Sequence, residues 1–428
     1  VGENIKDQSE MKFQISYDFA SKLDSIDPLR AFREKFHIPQ DQKGEDLIYF
    51  AGNSLGLQPK SVRTYVEQEL KDWETMGVEG HLHAKNPWLP YHEFLTKQTA
   101  SLLGAHPDEV INMNSLTVNL HLMMVSFYRP TPKRYKILIE ANAFPSDHYA
   151  VQSQLKFHGY DPKDALIEMK PKDGEVLIDT ADILEYIDKH GDEIALIMFA
   201  GVNYYTGQAF EFQKITEAAH KKGCIVGFDL AHATGNLVLS LHDWNVDFAV
   251  WCSYKYLNGG PGAIAGAFVP KKHLLDMKIP KFWGWWGQNK ATRFQMGHNF
   301  QPIPTVESWQ LSNPPILQLA ALRASLDIFA EAGMPALRAK SEKLTGYMEF
   351  LLNKKNDGNI EIVTPLDSSQ RGCQLSLRAK SNGKAIHEKL NSIGVICDWR
   401  EPDVIRVAPV PLYNSYEDVW KFVKILFS

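Results

Sequence analysis

Cysteine is scarce. The 428-residue chain carries four, and Cys224, Cys252, Cys373 and Cys397 stand far apart, matching neither a CxxC metal pair nor a disulfide scaffold. Buried free thiols are the expectation. Long apolar runs are missing too: the longest, Ile194–Val202 (IALIMFAGV), is about half of the ~20 residues that a membrane-spanning helix needs, so no membrane span is expected. Neither charge sign forms a block; 46 Lys plus Arg against 51 Asp plus Glu leave a net −5 spread along the chain. That marks no nucleic-acid groove and no polybasic membrane patch, and leaves a small molecule as the default partner. Glycine (28) and proline (23) are not in excess, which excludes collagen-like and low-complexity chains. The stretch VGENIKDQSEM is polar and lacks the basic-then-apolar order of a secretory signal, so a cytoplasmic setting is expected.

What is present is an alternation of element types. Lys136–Ala141 (KILIEA) and Ala165–Lys170 read as strands, Thr180–His190 as an amphipathic helix and Ile194–Val202 as the next strand. A helix at Lys214–Lys222, closed by Gly223, leads to the strand Cys224–Leu230; short strands follow at Phe248–Cys252 and Ala263–Val269. This predicts an α/β fold with a doubly wound, mostly parallel sheet, whose ligands sit outside the carboxyl ends of the strands. Beyond about residue 320 the pattern becomes a smaller α+β domain. It has helices at Pro335–Lys354, Lys384–Ile393 and Tyr416–Phe427, and strands at Ile360–Thr364, Cys373–Leu377, Val395–Asp398 and Val404–Ala408. Tyr17–Phe36 is helical in pattern and is expected to pack with that domain. The division is therefore 1–50, an N-terminal helical segment; 51–320, a large ligand-binding domain; and 321–428, the small domain.

Polar residues just beyond the strands single out Asp229, His232 and Ser253–Lys255. A lysine at a strand end among apolar neighbours can have its amine pKa lowered and form a Schiff base, although alone Lys255 reads as an ordinary surface residue. Asp229-Leu-Ala-His232 changes that balance. A buried carboxylate is costly without a cation opposite, and the protonated pyridine nitrogen of pyridoxal 5′-phosphate (PLP) is such a cation. His232 either supports that carboxylate, bonds the cofactor's 3′ oxygen or is a structural histidine. Asn114-Ser-Leu-Thr-Val-Asn119 precedes an amphipathic run, Asn119–Tyr128; it suits a phosphate at a helix N-terminus, or makes Ser115 and Thr117 plain N-caps. Phe144-Pro-Ser-Asp147 offers an aromatic face for ring stacking, or a core Phe. Gly260-Pro-Gly262 opens no βαβ unit, and His81-Leu-His83 has no third ligand, so neither a dinucleotide nor a metal is expected.

With these residues assembled, the chain resembles the kynureninase family, fold-type I PLP enzymes of the aminotransferase class V group, along nearly its whole length. The resemblance is carried by GNSLGLQPK (Gly52–Lys60), LTVNLHL (Leu116–Leu122), AFPSDHYA (Ala143–Ala150), YYTGQ (Tyr204–Gln208) and GFDLAHA (Gly227–Ala233). LHDW (Leu241–Trp244), WCSYKYLN (Trp251–Asn258), SNPPIL (Ser312–Leu317), RGCQL (Arg371–Leu375) and IRVAPVPLYNS (Ile405–Ser415) extend it. It implies that 51–320 is the PLP-binding domain, with Lys255 as the Schiff-base lysine, Asp229 on the pyridine nitrogen, His232 beside it and Phe144 on the ring. Leu116, Thr117, Ser146, Asp147 and Tyr254 are implied to complete the cofactor shell, Thr117 and Tyr254 near the phosphate. Trp285 and Asn313 are implied to bind the cofactor from the second subunit of a homodimer with shared sites. Ser54, His81, Asn313 and Arg406 are implied to meet substrate, Arg406 at the α-carboxylate. One position departs: relatives carry Ser before the Gly-Val that leads into YYTGQ, whereas this chain has Ala200, so a side-chain bond to the cofactor is lost there.

The implied reaction is hydrolytic Cβ–Cγ cleavage of L-kynurenine or 3-hydroxy-L-kynurenine to L-alanine and anthranilate or 3-hydroxyanthranilate, in tryptophan catabolism and NAD biosynthesis. Lys255 is the implied base at Cα, and Tyr254 either relays protons or only holds the phosphate. His81 with Asn313 looks like the pair of 3-hydroxy-preferring members, so 3-hydroxykynurenine is the expected preference. The rivals fit less well. A cysteine desulfurase needs a nucleophilic Cys on a mobile loop, yet Cys373 and Cys397 fall in apparent strands. A PLP-binding sensor lacks its DNA-binding segment, and an NAD-dependent oxidoreductase lacks its fingerprint.

Overall fold

The apolar runs of the central sequence become the strands of a seven-stranded sheet. The computed structural model describes residues 12–276 and 278–428; the polar stretch VGENIKDQSEM lies outside the described residues. A short strand β1 (Ile48–Tyr49) comes first in the chain. The large sheet comprises β2 (Val110–Asn112), β3 (Lys136–Glu140), β4 (Leu166–Met169), β5 (Ile194–Ala200), β6 (Ile225–Asp229), β7 (Phe248–Trp251) and β8 (Gly266–Phe268). Their spatial order is β2-β8-β7-β6-β5-β3-β4. Only β8 runs against its neighbours, because no helical crossover separates it from β7.

Helices cover both faces of this sheet, which is why its strands read as unbroken apolar runs. Leu138, Ile197, Phe199, Phe228 and Trp251 pack on one side with Leu103 and Leu319. The alternate residues Ile137, Ile139, Leu196, Met198 and Val250 pack on the other with Leu120, Met124 and Leu155. Parallel β3, β5, β6 and β7 end on the same edge, and the segments beginning at Ala141, Gly201, Leu230 and Cys252 leave from there.

The C-terminal region adds β9 (Ile360–Ile362), β10 (Leu375–Ala379), β11 (Val395–Ile396), β12 (Asp398–Arg400) and β13 (Val404–Val407). Four of these form an antiparallel sheet in the order β12-β13-β10-β9, while β11 pairs with β1. Val395–Asp398, read as one strand, is thus divided between two sheets. The N-terminal segment shares this core: Phe19, Ile48 and Phe50 cluster with Leu344, Met348, Leu377, Ile405 and Phe422. Asp24, in the helix Tyr17–Ser25, accepts from the amides of Tyr416 (2.8 Å) and Glu417 (2.9 Å), placing an anion at the N-terminus of the helix Tyr416–Leu426. The helical pattern of Tyr17–Phe36 breaks at Pro28 into that helix and a 3-10 turn, Arg30–Lys35.

Two other readings change. Leu116–Phe127 is a helix, but buried around most of its circumference rather than amphipathic. A 17-residue helix, Ile316–Ala332, precedes Met334–Lys355 and had no counterpart in the sequence reading. Leu319, Leu322, Leu326 and Phe329 are buried together with Ala320, Ala324 and Ser325, so its apolar residues do not confine themselves to one stripe. No described helix is long and apolar enough to cross a membrane.

Gly227 sits opposite Phe248 in the β6–β7 register, and a Cβ there would lie 2.0 Å from the Phe248 ring. Gly227→Ala is expected to cost about 1–3 kcal/mol through overpacking, read as a lower urea midpoint at unchanged m-value. An unchanged midpoint would mean that Phe248 has room to turn away.

Candidate active site

Lys255 lies in the loop after β7, at the edge where the parallel strands end. Its amine donates to His232 Nε2 at 3.1 Å and stands 5.7 Å from the centroid of the Phe144 ring. Burial first, then the neighbouring Lys255 charge, hold the His232 imidazole well below its ordinary pKa, so it is neutral and accepts from the lysine. Its Nδ1 is buried with no partner.

Asp229 ends β6, and its Oδ1 accepts from the Ala231 amide at 2.7 Å. Asp147 belongs to the first turn of the helix Pro145–Phe157, and its Oδ1 is also buried without a partner. Burial raises both carboxyls; Asp147 rises further, because repulsion from Asp229 and the hydrogen bond it gives that carboxylate add to burial, while the same hydrogen bond and then Lys255 draw Asp229 down. Asp229 is therefore the anion of the pair.

A cradle for a phosphate lies alongside. The helices Leu116–Phe127 and Pro145–Phe157 bring their N-termini together, and the hydroxyls of Thr117 and Ser146 are 2.8 Å apart. Ser115 occupies the N-cap position but its side chain caps nothing, so the plain N-cap explanation fails for it. First-turn amides and two hydroxyls are left facing the same space.

Leu116, Thr117, Phe144, Ser146, Asp147, Asp229, His232, Tyr254 and Lys255 line one cavity of about 200 Å³. Ala200, Val202, Tyr204 and Ala231 complete its wall; of these, sequence reading had marked only Ala200. A lysine amine, a buried carboxylate, an aromatic face and a helix-end cradle within one small cavity are the donor set that PLP requires, and the unpaired His232 Nδ1 and Asp147 Oδ1 leave polar atoms for it to meet.

Arg406 lies on β13, behind Tyr204. Its Nη1 donates to the Tyr204 carbonyl at 2.8 Å and its Nη2 to Ser54 Oγ at 3.1 Å, and it forms an ion pair with Asp398. The Tyr204 ring meets Phe144 edge-on at 5.3 Å, linking this group to the cavity. Burial works against Asp398, yet Arg406, Ser54 and Arg400 hold its carboxyl below the ordinary range. Neither Asp398 nor Tyr204 had been singled out in the sequence; the pairing of Asp398 with Arg406 arises from antiparallel register.

Five expected residues do not line the cavity: Ser54 and Arg406, which lie in the group just described, and His81, Trp285 and Asn313. His81 Nδ1 bonds the Val78 carbonyl at 3.0 Å, with its ring against Trp88. Trp285 donates to the Arg293 carbonyl at 3.1 Å and is half exposed. Asn313 is exposed in the loop before Ile316–Ala332. Other features carry less chemistry. A cleft of about 930 Å³ beside the N-terminal segment holds charges that already pair, Lys340 with Asp27 and Arg33 with Asp418. His92, Glu93 and Glu307 converge, but the Lys290 ammonium sits 2.8 Å from Glu93 and 2.9 Å from Glu307, where a metal would be.

The fold is that of fold-type I PLP enzymes. Cysteine desulfurase CsdA from Escherichia coli superposes with a TM-score of 0.75 over 93% of this chain and 97% of that one, at 16% identity. The cysteine desulfurase of Thermococcus onnurineus NA1 gives 0.73 over 89% and 93%, also at 16%. At that identity the likeness is one of fold. In sequence, the kynureninase of Myxococcus xanthus is 59% identical over 414 residues, 97% of each chain. That of Koribacter versatilis is 57% identical, covering 96% of this chain and 97% of the relative, and that of Nematostella vectensis 51%, covering 96% and 93%. The kynureninase C-terminal domain model matches residues 337–426. The chain belongs to the kynureninase family.

Removing Asp398 would leave Arg406, 1% exposed, without its anion. Asp398→Ala is expected to destabilise the cofactor-free protein by about 3–5 kcal/mol in urea unfolding. A loss below about 1 kcal/mol would show that the Tyr204 carbonyl and Ser54 suffice for the guanidinium.

Proposed function

We propose that the chain catalyses the reaction of its family, PLP-dependent hydrolytic cleavage of the Cβ–Cγ bond of L-kynurenine or 3-hydroxy-L-kynurenine, yielding L-alanine and anthranilate or 3-hydroxyanthranilate. The observation that carries the reading is the convergence of Lys255, His232, Asp229 and the Thr117–Ser146 cradle in one cavity. Bound there, PLP supplies an electron sink for the carbanion formed at the substrate Cα. Asp229 would hold its ring nitrogen protonated, Phe144 its face, and Thr117, Ser146, Leu116 and Tyr254 its phosphate end. Asp147 would lie beside Asp229.

The chain's own groups divide the remaining work. Lys255 takes the proton from substrate Cα, and neutral His232 keeps the amine oriented without competing for that proton. Water adds to the γ-carbonyl and the Cβ–Cγ bond breaks. The water oxygen leaves in the carboxylate of the aromatic product, and the β-carbon takes a proton. We assign that proton to Tyr254, whose phenol lines the cavity and is held protonated by burial. Arg406 would receive the substrate α-carboxylate as a bidentate partner in exchange for its bonds to Asp398 and the Tyr204 carbonyl, with Ser54 beside it.

The desulfurase alternative is disfavoured by the thiols. All four cysteines are buried, and burial pushes Cys252 up to about 11 and Cys373 and Cys397 up to about 12. A homodimer with shared sites belongs to this proposal. It is supported by the exposure of Phe282, Trp283, Trp285, Phe294 and Met296 on one stretch of chain, and by the position of Trp285, Asn313 and His81 outside their own chain's cavity. So do a cytoplasmic setting, a place in tryptophan catabolism and NAD biosynthesis, and the partition into 1–50, 51–320 and 321–428, with the first segment joined to the last.

The purified protein should be yellow and should release alanine and the matching anthranilate from either substrate. Lys255→Ala should lose steady-state turnover, and the reduced cofactor adduct should map to Lys255. Normal turnover in that variant, or an adduct on another lysine, overturns the assignment.

Mixing Lys255→Ala with Asn313→Ala chains should restore part of the activity through heterodimers. If subunits exchange and no activity returns, the sites are not shared.

Substrate preference should favour the 3-hydroxy form. His81 and Asn313 can each bond a phenolic hydroxyl, and polar groups left unpaired when it is missing are worth about 1–3 kcal/mol, roughly 5- to 150-fold in kcat/KM. Equal or kynurenine-favouring values in the parent sink this expectation, and a preference that survives both His81→Ala and Asn313→Ala places its origin elsewhere.

A further inference from the structure

Glu140 has no part in the reaction as described, yet it is 1% exposed at the end of β3, beside the site. Its Oε2 accepts from the Ala200 amide at 3.1 Å, its own backbone amide and the Asn203 side chain are further polar neighbours, and its Oε1 has no hydrogen-bond partner. The titratable groups it faces are the carboxyls of Asp229 and Asp147, with Lys255 beyond them. Among the described residues it enters no ion pair; Lys136, on the same strand, is taken by Glu193. Three buried carboxyls therefore share one cation, Lys255, because His232 is neutral. Low-dielectric surroundings do not hold three anions against one cation, so protons must remain on two of them.

The connections from Glu140 lead to Asp229. Ala200, which it holds, ends β5 and pairs in register with Asp229, and the next amide, Gly201, donates to the Asp229 carbonyl at 2.7 Å. We propose that Glu140 is a positioning residue which stays a neutral carboxylic acid, fastens the end of β5 through Ala200 and so leaves Asp229 as the single anion of the site. Burial pushing the Glu140 carboxyl up to about 8, with Asp229 adding to it, agrees with this geometry. Ala200 brings only a backbone amide to this junction, and that amide donates to Glu140, adding a side-chain link to the Gly201–Asp229 backbone bond. The inference rests on the cofactor site proposed above.

The test compares Glu140→Gln, which keeps the shape and neutrality of the acid, with Glu140→Ala, which removes the bond. In infrared difference spectra of the cofactor-free protein near pH 6.5, Glu140→Gln should remove one protonated-carboxyl carbonyl band. With PLP bound, the pH titration of the visible band should coincide for parent and Gln variant, whereas in the Ala variant it should be displaced and PLP dissociation strengthened about tenfold. Persistence of the infrared band in Glu140→Gln, or a Gln variant that behaves like the Ala variant, overturns the proposal. If Glu140→Ala does not fold, the infrared result with Glu140→Gln decides alone. Loss of that band in a protein that does not cleave kynurenine leaves this inference standing and removes only the activity.

Discussion

Because β3, β5, β6 and β7 run parallel with both faces buried, their carboxyl ends finish on one edge, and the cavity residues other than Leu116 and Thr117 are delivered there at or just beyond those ends. Asp229 needs only to end its strand, and Lys255 only to follow its own. The cost of the arrangement is electrostatic. A dry edge of this kind raises Glu140, Asp147 and Asp229 and depresses His232, so the site works with few charges and keeps several protons in place. The same burial that makes the strands stable gives Lys255 a neutral histidine to lean on instead of a competing cation.

Much of this was legible in the sequence because hydropathy and position carry it. The strand and helix alternation from residue 136 onward follows from apolar runs separated by polar, helix-forming segments, and polar residues after those runs include Asp229, His232 and Lys255. What stayed hidden depends on contacts across strands. Asp398 meets Arg406 through the β12–β13 register, and nothing in the local sequence of either marks the pair. Glu140 reads as the polar end of an apolar strand, and its burial and its neighbours Ala200, Asn203 and Asp229 come from parts of the chain 60 or more residues away. The helix Ile316–Ala332 went unseen for the opposite reason, since burial on several sides erases the stripe that identifies a surface helix.

The standing of His81, Trp285 and Asn313 differs from that of the cavity residues. Nine expected cofactor contacts converge within one chain, while these three face away from that cavity or into solvent. Trp285 lies in a stretch where five large apolar side chains are exposed together, a cost to an isolated chain that a second subunit would relieve. Exposure and distance from the cavity therefore coincide at these residues, and one chain brings together nine of the eleven expected cofactor contacts while Trp285 and Asn313 stand apart.

The likeness to cysteine desulfurases shows how little of the chemistry resides in the fold. What separates the outcomes is which groups surround the bond to be broken. Here the thiols are sealed in the interior with their protons held, whereas a phenol, Tyr254, reaches the cavity with its own proton retained. A buried thiol offers no nucleophile to an incoming sulfur, but a protonated phenol beside the cofactor end can serve a carbon that leaves as a carbanion. The topology is thus shared with those enzymes, and the burial of the thiols beside the exposure of Tyr254 to the cavity is what this chain adds to it.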